Sequence, residues 1–273
     1  MKKLFAFGMA SVMALSLAAC GGAASTASST AAAPADSASS EAASAETTGK
    51  KWVIATDTVF KTFEYTDASG NFVGIDVDIV AAIAEDQGFE YEMKSLGWDA
   101  AIAACQSGQA DGMIAGASIT DERKASGWTF SDGYYDSTQT MTVAADSDIT
   151  GFADLSGKTV AVKTATQGAS YAESLKDEYG FNITYFEDSP TMYQAVLGGQ
   201  CVACFEDTPI MKASIKDGDL ALKVLNDTAS DPAPYGFAIF NTDNQELLDM
   251  FNAGLADIKE NGKYDEILAK YLG

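Results

Sequence analysis

Trp52-Val53-Ile54-Ala55 and, further on, Asp76-Val77-Asp78-Ile79-Val80-Ala81-Ala82-Ile83-Ala84-Glu85-Asp86-Gln87-Gly88 set a pattern that the chain repeats. The first run is short and apolar and reads as a strand. The second reads as a helix over 76–87, with Asp76 as candidate N-cap and Gly88 just past its end. Residues 91–95 read as a strand, 99–107 as a helix stopped by Gly108, and 112–115 as a strand. Thr120 then opens a short helix. Downstream the alternation resumes with strand 159–162, helix 166–178, strand 182–186, helix 190–197, strand 202–205, helix 209–215 and strand 222–226. This order predicts an α/β protein with parallel sheets covered on both faces. One more strand is expected over 235–240. A helix over 244–261 carries Leu247, Phe251, Leu255 and Ile258 on one stripe, and 264–272 adds a last helical segment. Two such sets predict two lobes, with a ligand held outside the carboxyl ends of the strands and between the lobes.

Composition excludes much of catalysis. The 273 residues include no histidine, so a Ser-His-Asp or Cys-His triad and every histidine-ligated metal site are ruled out. Thirty-nine acids against seventeen bases give a formal net charge of -22 and argue against nucleic acid as a partner. Hydrophobic residues make up 47%, enough for a real core. No run of 18 apolar residues follows residue 20, so no later segment is expected to span a membrane.

The beginning of the chain reads as leader and tether. Lys2 and Lys3 precede a short apolar run, and Leu17-Ala18-Ala19-Cys20 offers small residues at a cleavage point, the pattern of a secretory signal over 1–19. The four positions 17–20 resemble the lipobox of bacterial lipoproteins. That resemblance implies cleavage before Cys20 and lipidation of its thiol. Residues 21–49 hold eleven Ala, seven Ser and four Thr and no aromatic residue. Such a segment cannot bury enough surface to order itself, so 20–49 is expected to be a flexible linker reaching about 30 Å.

A set of chemically capable residues falls at the strand ends. Asp57 and Phe60 follow the first strand, and Trp98 follows the strand over 91–95. Ala115, Gly116 and Ser118 follow the strand over 112–115, with Arg123 shortly after. In the second half Lys163 ends a strand, Thr166 and Gln167 open a helix, and Glu206-Asp207 follow a further strand. These types suit a free α-amino acid. Arg123 can grip its carboxylate with two parallel hydrogen bonds, aided by the N–H groups at the helix start. Asp207, the Ser118 hydroxyl and the Gly116 carbonyl suit its ammonium, and Phe60 and Trp98 can sandwich an apolar stem. Each residue also has a plainer reading: Arg123 on the surface, Asp207 as an N-cap, Phe60 and Trp98 in the core, Lys163 as a solvated strand end.

From Trp52 onward the chain resembles the polar amino-acid solute-binding proteins of ABC importers, the bacterial extracellular solute-binding protein family 3, and is most similar to its glutamine-binding members. The resemblance is carried, in family order, by Ala55-Thr56-Asp57-Thr58-Val59-Phe60, Gly74-Ile75-Asp76-Val77-Asp78, Gly116-Ala117-Ser118-Ile119-Thr120-Asp121-Glu122-Arg123, Phe130-Ser131-Asp132-Gly133-Tyr134-Tyr135, Val160-Ala161-Val162-Lys163, Asp207-Thr208-Pro209 and Asn261-Gly262-Lys263-Tyr264. It implies the type II periplasmic binding protein fold: lobe 1 over 50–134 and 235–273, lobe 2 over 135–234, and two hinge strands near 134–138 and 231–235. It implies that Arg123 holds the ligand carboxylate and Asp207 the ammonium, with Gly116 and Ser118 supporting both. Asp57, Lys163, Phe60 and Trp98 would meet the side chain. It also implies a monomeric, extracytoplasmic carrier with no cofactor, tethered to the membrane through Cys20 and serving an ABC permease.

The chain departs from the glutamine-binding pattern in three places. Glu206 stands where a histidine precedes the aspartate, the loop Lys163-Thr164-Ala165-Thr166-Gln167 replaces Lys-Ser-Gly-Thr-Gly, and Trp98 replaces a phenylalanine. If Asp57 and Lys163 both face the ligand side chain, a primary amide satisfies both, which favours glutamine and then asparagine. If Glu206 neutralises Lys163, Asp57 is free and a basic amino acid fits instead; a cystine binder is a further alternative. An enzyme of dehydratase type and a sensory module on the same fold are the other classes open to this sequence. Cys201-Val202-Ala203-Cys204 has redox-like spacing, but it enters an expected strand, where the two thiols sit too far apart to bridge. Small buried hydrophobes are the expected state of Cys105, Cys201 and Cys204.

Overall fold

A computed structural model describes residues 50–272. The leader expected over 1–19, Cys20 and the linker expected over 20–49 lie outside the described residues. The described chain forms two five-stranded sheets joined by a short antiparallel pair, Tyr135–Ser137 with Ala233–Tyr235. The first sheet runs in the order Tyr91–Ser95, Trp52–Thr56, Gly112–Met113, Ala238–Ile239, Thr129–Phe130. The second runs Asn182–Phe186, Thr159–Lys163, Ala203–Asp207, Gln139–Ala144, Leu222–Leu225. Each sheet with its helices is one lobe.

The sheets are mixed, not all-parallel as the alternation predicts. Three strands of each sheet run parallel through helical crossovers. One strand in each sheet, Ala238–Ile239 in the first and Gln139–Ala144 in the second, runs antiparallel to both of its neighbours. The reason lies in the crossing between lobes. Gln139–Ala144 enters the second sheet straight from the strand Tyr135–Ser137, with no helix to turn it round, and Ala238–Ile239 returns to the first sheet in the same way. The single strand expected over 235–240 is therefore two, broken at Gly236-Phe237.

Both faces of each sheet are covered. On the first, the helix Gln245–Glu260 buries Leu247, Phe251, Leu255 and Ile258 against Ile79 and Ile83 of the helix Ile75–Gln87. The two helices touch closely at Gly254, where a Cβ would come within 2.7 Å of Ile83 Cγ2. The opposite face carries Trp98, Ala101, Cys105, Met113 and Trp128. In the second lobe Val160, Val162 and Phe205 face the helix Gln167–Tyr179, whereas Ala161 and Cys204 face Met192, Tyr193 and Val196 of the helix Ser189–Leu197. Cys105, Cys201 and Cys204 are free and buried, and burial pushes the Cys105 thiol up to about 12. Among the described residues no helix is long and apolar enough to cross a membrane.

Asp76 is not the N-cap that its position suggested. The helix starts at Ile75 from Gly74, whose φ of +144° and contact with the Phe63 carbonyl leave no room for a side chain. Asp76 sits inside the first turn, fully buried, while Asp78 meets Lys270 at 2.7 Å and Tyr271 at 2.9 Å.

Candidate ligand-binding site

Eleven of the twelve residues singled out from sequence line one narrow pocket between the lobes. They are Asp57, Phe60, Trp98, Ala115, Gly116, Ser118 and Arg123 from the first lobe, and Lys163, Thr166, Gln167 and Asp207 from the second. Backbone geometry explains the convergence. After Gly112–Met113 the chain turns at Gly116, where φ is +54° and a Cβ would lie 2.3 Å from Phe60 Cε1. Only glycine lets the backbone pass so close to that ring. Phe60 is fixed in turn by its paired bonds with Glu64, 2.8 and 2.9 Å.

Arg123 stands on the five-residue helix Asp121–Ala125, capped by the Thr120 hydroxyl, which accepts the Arg123 N–H at 3.2 Å. Its guanidinium donates to the Ser118 carbonyl at 2.9 Å and, across the cleft, to the Ala165 carbonyl at 3.3 Å. It lies 5.1 Å from the Trp98 ring and 5.2 Å from Trp128. Burial lowers its pKa to about 10, which still leaves it charged at neutral pH. The Trp98 indole N–H also reaches the Ala165 carbonyl, at 3.1 Å. Ala165 itself holds φ +56°, left-handed backbone that an alanine adopts at a cost of about 1 kcal/mol or more. Thr166 then caps the helix Gln167–Tyr179, accepting from the Ala169 N–H at 3.2 Å. The Gln167 and Gly168 N–H groups precede the first bond of the helix, the position at which helix donors are left open.

Two buried carboxylates mark the two ends of the site. Asp207 Oδ1 accepts from Gln139 Nε2 at 2.7 Å, from Ser137 Oγ at 3.0 Å and from the Tyr235 hydroxyl. Those three donors fix the carboxyl group through one oxygen. Its second oxygen has no donor among the described protein groups. Burial pushes Asp207 up, and the three donors and the Arg123 charge oppose it. Asp57 forms an ion pair across the cleft with Lys163, both side chains being almost fully buried, and its other oxygen accepts the Thr58 N–H at 2.6 Å. Lys163 stands 5.8 Å from the Phe60 ring and 5.9 Å from Trp98.

Glu206 is the exception and a correction. Successive residues of a strand point to opposite faces, so a side chain next to Asp207 on Ala203–Asp207 turns away from the cavity. Glu206 instead accepts from Ser189 Oγ at 2.6 Å and Tyr193 OH at 3.1 Å, and from the Asp207 N–H at 3.1 Å. Burial and the neighbouring Asp207 push it up to about 7. The parallel register sets Cys204 on Ala161 and Phe205 on Val162, which places Glu206 beside Lys163. Sequence reasoning missed Ser137, Gln139 and Tyr235, the three residues that fix Asp207. Ser137 and Tyr235 reach it from the crossing between lobes and Gln139 from the antiparallel strand paired with it, and no local pattern marks them.

Comparison with known proteins bears on the family of the chain. The family described as bacterial extracellular solute-binding proteins, family 3, matches residues 52–273. A probable histidine-binding protein of Neisseria gonorrhoeae is 31% identical over 276 residues, covering 100% of this chain and 96% of that protein. The ABC transporter glutamine-binding protein GlnH of Bacillus subtilis is 29% identical over 282 residues, covering 100% of this chain and 98% of that protein. Among solved structures, the arginine-, lysine-, histidine-binding protein ArtJ from Geobacillus stearothermophilus is similar with a TM-score of 0.75 and 34% identity, covering 82% of this chain and 96% of that one.

Proposed function

The chain belongs to the bacterial extracellular solute-binding proteins, family 3, and on that footing we propose that it captures one polar L-amino acid, glutamine first, for delivery to its transporter. It is an amino-acid-binding, substrate-binding protein of an ABC transporter. The observation that carries the ligand reading is the cavity with opposite charges at both ends. Arg123 and the start of the helix Gln167–Tyr179 suit an α-carboxylate, and the uncommitted oxygen of Asp207 suits an α-ammonium. Phe60 and Trp98 suit the apolar stem between them. At the far end a primary amide can donate to Asp57 and accept from Lys163, satisfying both members of the ion pair. Binding contacts to both lobes would hold them together, so ligand capture is a shift of population toward the closed form. The bound amino acid leaves chemically unchanged.

A second reading rests on Glu206. If Lys163 turns to Glu206, its neighbour in the sheet, Asp57 becomes free to pair with a cationic side chain, and arginine or lysine is the ligand. The relatives named above include proteins described as binding histidine, glutamine and arginine, so both readings have company. We also propose that the protein acts as a monomer outside the cytoplasm, cut before Cys20 and anchored by lipid on that thiol. The support is the run Leu17-Ala18-Ala19-Cys20.

Calorimetric titration with the twenty amino acids and cystine tests the ligand, and mass spectrometry of the released ligand tests for turnover. Tight binding of glutamine or asparagine is expected, unaltered on release. Arg123→Ala and Asp207→Ala should each weaken it by more than about 30-fold, since truncating one partner of a buried charged contact costs about 2–5 kcal/mol. Binding of arginine or lysine alone selects the Glu206 reading. No binding of any amino acid overturns both.

A further inference from the structure

Two carboxyl groups are buried beneath the Phe60 turn and the Gly116 loop. Glu64 closes the turn that carries Phe60 and is fully buried. Asp76, in the first turn of the helix Ile75–Gln87, is fully buried as well. Asp76 Oδ2 accepts the Gly116 N–H at 2.9 Å and the Tyr134 hydroxyl at 3.0 Å. Tyr134 directly precedes the strand Tyr135–Ser137 that links the lobes, and its own N–H donates to the Tyr235 carbonyl at 2.9 Å. One carboxylate oxygen thus holds both the loop that lines the cavity and the root of the crossing between lobes.

Asp76 Oδ1 and both oxygens of Glu64 meet no donor among the described groups. Two ionised carboxylates cannot remain unpaired together out of water, because each is desolvated and they repel. A shared proton resolves the conflict. The Asp76 N–H donates to the carbonyl of Phe63, the residue before Glu64, at 3.0 Å, which brings the two carboxyl groups together, so a neutral Glu64 can donate its O–H to Asp76 Oδ1. Asp76 then keeps its charge for Gly116 and Tyr134. The other groups facing the pair are Asp57 and Lys163 on the side of Glu64, and Tyr134 and Tyr264 on the side of Asp76.

We propose that Asp76 is a positioning residue for the ligand loop, held in place by a proton on Glu64, and that loss of this proton weakens amino-acid binding although neither residue touches the ligand. This inference rests on the amino-acid reading of the cavity. Its chemistry is simple: ionised Glu64 would withdraw the donor from Asp76 and set a third negative group beside Asp57. Asp76 would be pushed off its contacts with Gly116 and Tyr134, and the Gly116 carbonyl and the Ser118 segment would lose their fixed aim. Burial, with Asp76 and Asp57 adding to it, holds the Glu64 carboxyl well above the usual carboxylate range. The proton is therefore held to higher pH than on an exposed glutamate and lost as pH rises through that raised value.

The test is binding of L-glutamine and L-arginine to the whole protein, read by tryptophan fluorescence between about pH 6 and pH 9.5, in wild type, Glu64→Gln and Glu64→Ala. Wild-type Kd should rise at least about tenfold toward the alkaline end. Glu64→Gln keeps a donor to Asp76 at every pH and should remove that step, leaving only the steps of Asp76, at about 6, and Glu206, at about 7. Glu64→Ala should bind at least about tenfold more weakly throughout. Infrared difference spectra provide a readout that needs no ligand: wild type should show a buried protonated carboxyl band that Glu64→Gln lacks. If Glu64→Ala does not fold, the Glu64→Gln profile and this band decide the matter. A Glu64→Gln profile identical to wild type, a flat wild-type profile, or no band lost in Glu64→Gln overturns the proposal while leaving the amino-acid reading intact. Failure of wild type to bind any amino acid overturns that reading and this inference together.

Discussion

Replacing Gly116 by alanine separates two costs that glycine hides, and Gly88→Ala is the built-in comparison. Both positions hold left-handed backbone, φ +54° at Gly116 and +69° at Gly88. For an L-residue that conformation costs about 1–2 kcal/mol, offset by about 0.4–1 kcal/mol because alanine stiffens the unfolded chain. At Gly88 nothing lies within 4 Å of the added Cβ, so the net loss is about 1 kcal/mol. At Gly116 the Cβ would meet Phe60 Cε1 at 2.3 Å, Cδ1 at 3.0 Å and Cζ at 3.3 Å. The ring is itself 5% exposed and pinned by the turn to Glu64, so it cannot slide away freely. Overpacking of this kind adds about 1–3 kcal/mol. Urea and thermal unfolding of the two variants should therefore differ by about 2 kcal/mol, with Gly116→Ala melting about 4–8 °C below Gly88→Ala. Phe60 lines the cavity, so Gly116→Ala should also weaken ligand binding, and Gly88→Ala should not. Equal melting temperatures for the two variants would refute the argument that the Phe60 contact, and not backbone conformation alone, requires glycine at 116.

Two further outcomes follow from burial. Glu64, Asp76 and Glu206 are all pushed up by desolvation, Asp76 to about 6 and Glu206 to about 7, so the fold favours their neutral forms. That stability is complete below the ordinary carboxylate pKa and is lost as pH rises through the folded values. Melting temperature should fall between about pH 5 and pH 8, and a rise across that window in thermal scans would contradict it. Phe251, 1% exposed, stacks on Phe237 with ring centroids 4.6 Å apart. Phe251→Ala should cost about 3–5 kcal/mol by urea unfolding, and a loss below about 1 kcal/mol would mean that the two helices over the first sheet do not anchor it.

Strand-end chemistry was legible in the sequence because it is local. Trp52–Thr56 ends at Asp57 and Thr159–Lys163 ends at Lys163, and in each lobe the carboxyl ends of the parallel strands point at the cleft. Glu206 was misplaced because the strand runs on to Asp207, past its expected end at 205, and its alternation turns Glu206 away from the cavity. Asp76 was misread because the space that excludes a side chain at Gly74 comes from Phe63, in a separate turn. The strand Gln139–Ala144 escaped notice altogether. Its threonines interrupt any apolar run, yet Thr140 and Thr142 are fully buried; Thr140 Oγ1 finds the Leu225 carbonyl at 3.3 Å. Direction of the strands was invisible for a similar reason, since it depends on where the chain changes lobe.

That change of lobe also sets an order of assembly. Every strand of the second sheet comes from within residues 139–225, so that sheet has all its parts once the chain has reached Leu225. The first sheet begins at Trp52 but waits for Ala238–Ile239, which sits between Gly112–Met113 and Thr129–Phe130. Its covering helix Gln245–Glu260 comes later still. During synthesis from the N-terminus, the lobe that starts first is therefore the one that finishes last. Until then Ile79 and Ile83 have no Phe251 or Leu255 to cover them, and closing that gap joins residues far apart in sequence, the slow kind of contact to form. A nascent chain held short of about residue 260 would have one finished half and one sticky half, and that is the interval in which a chaperone would find something to hold.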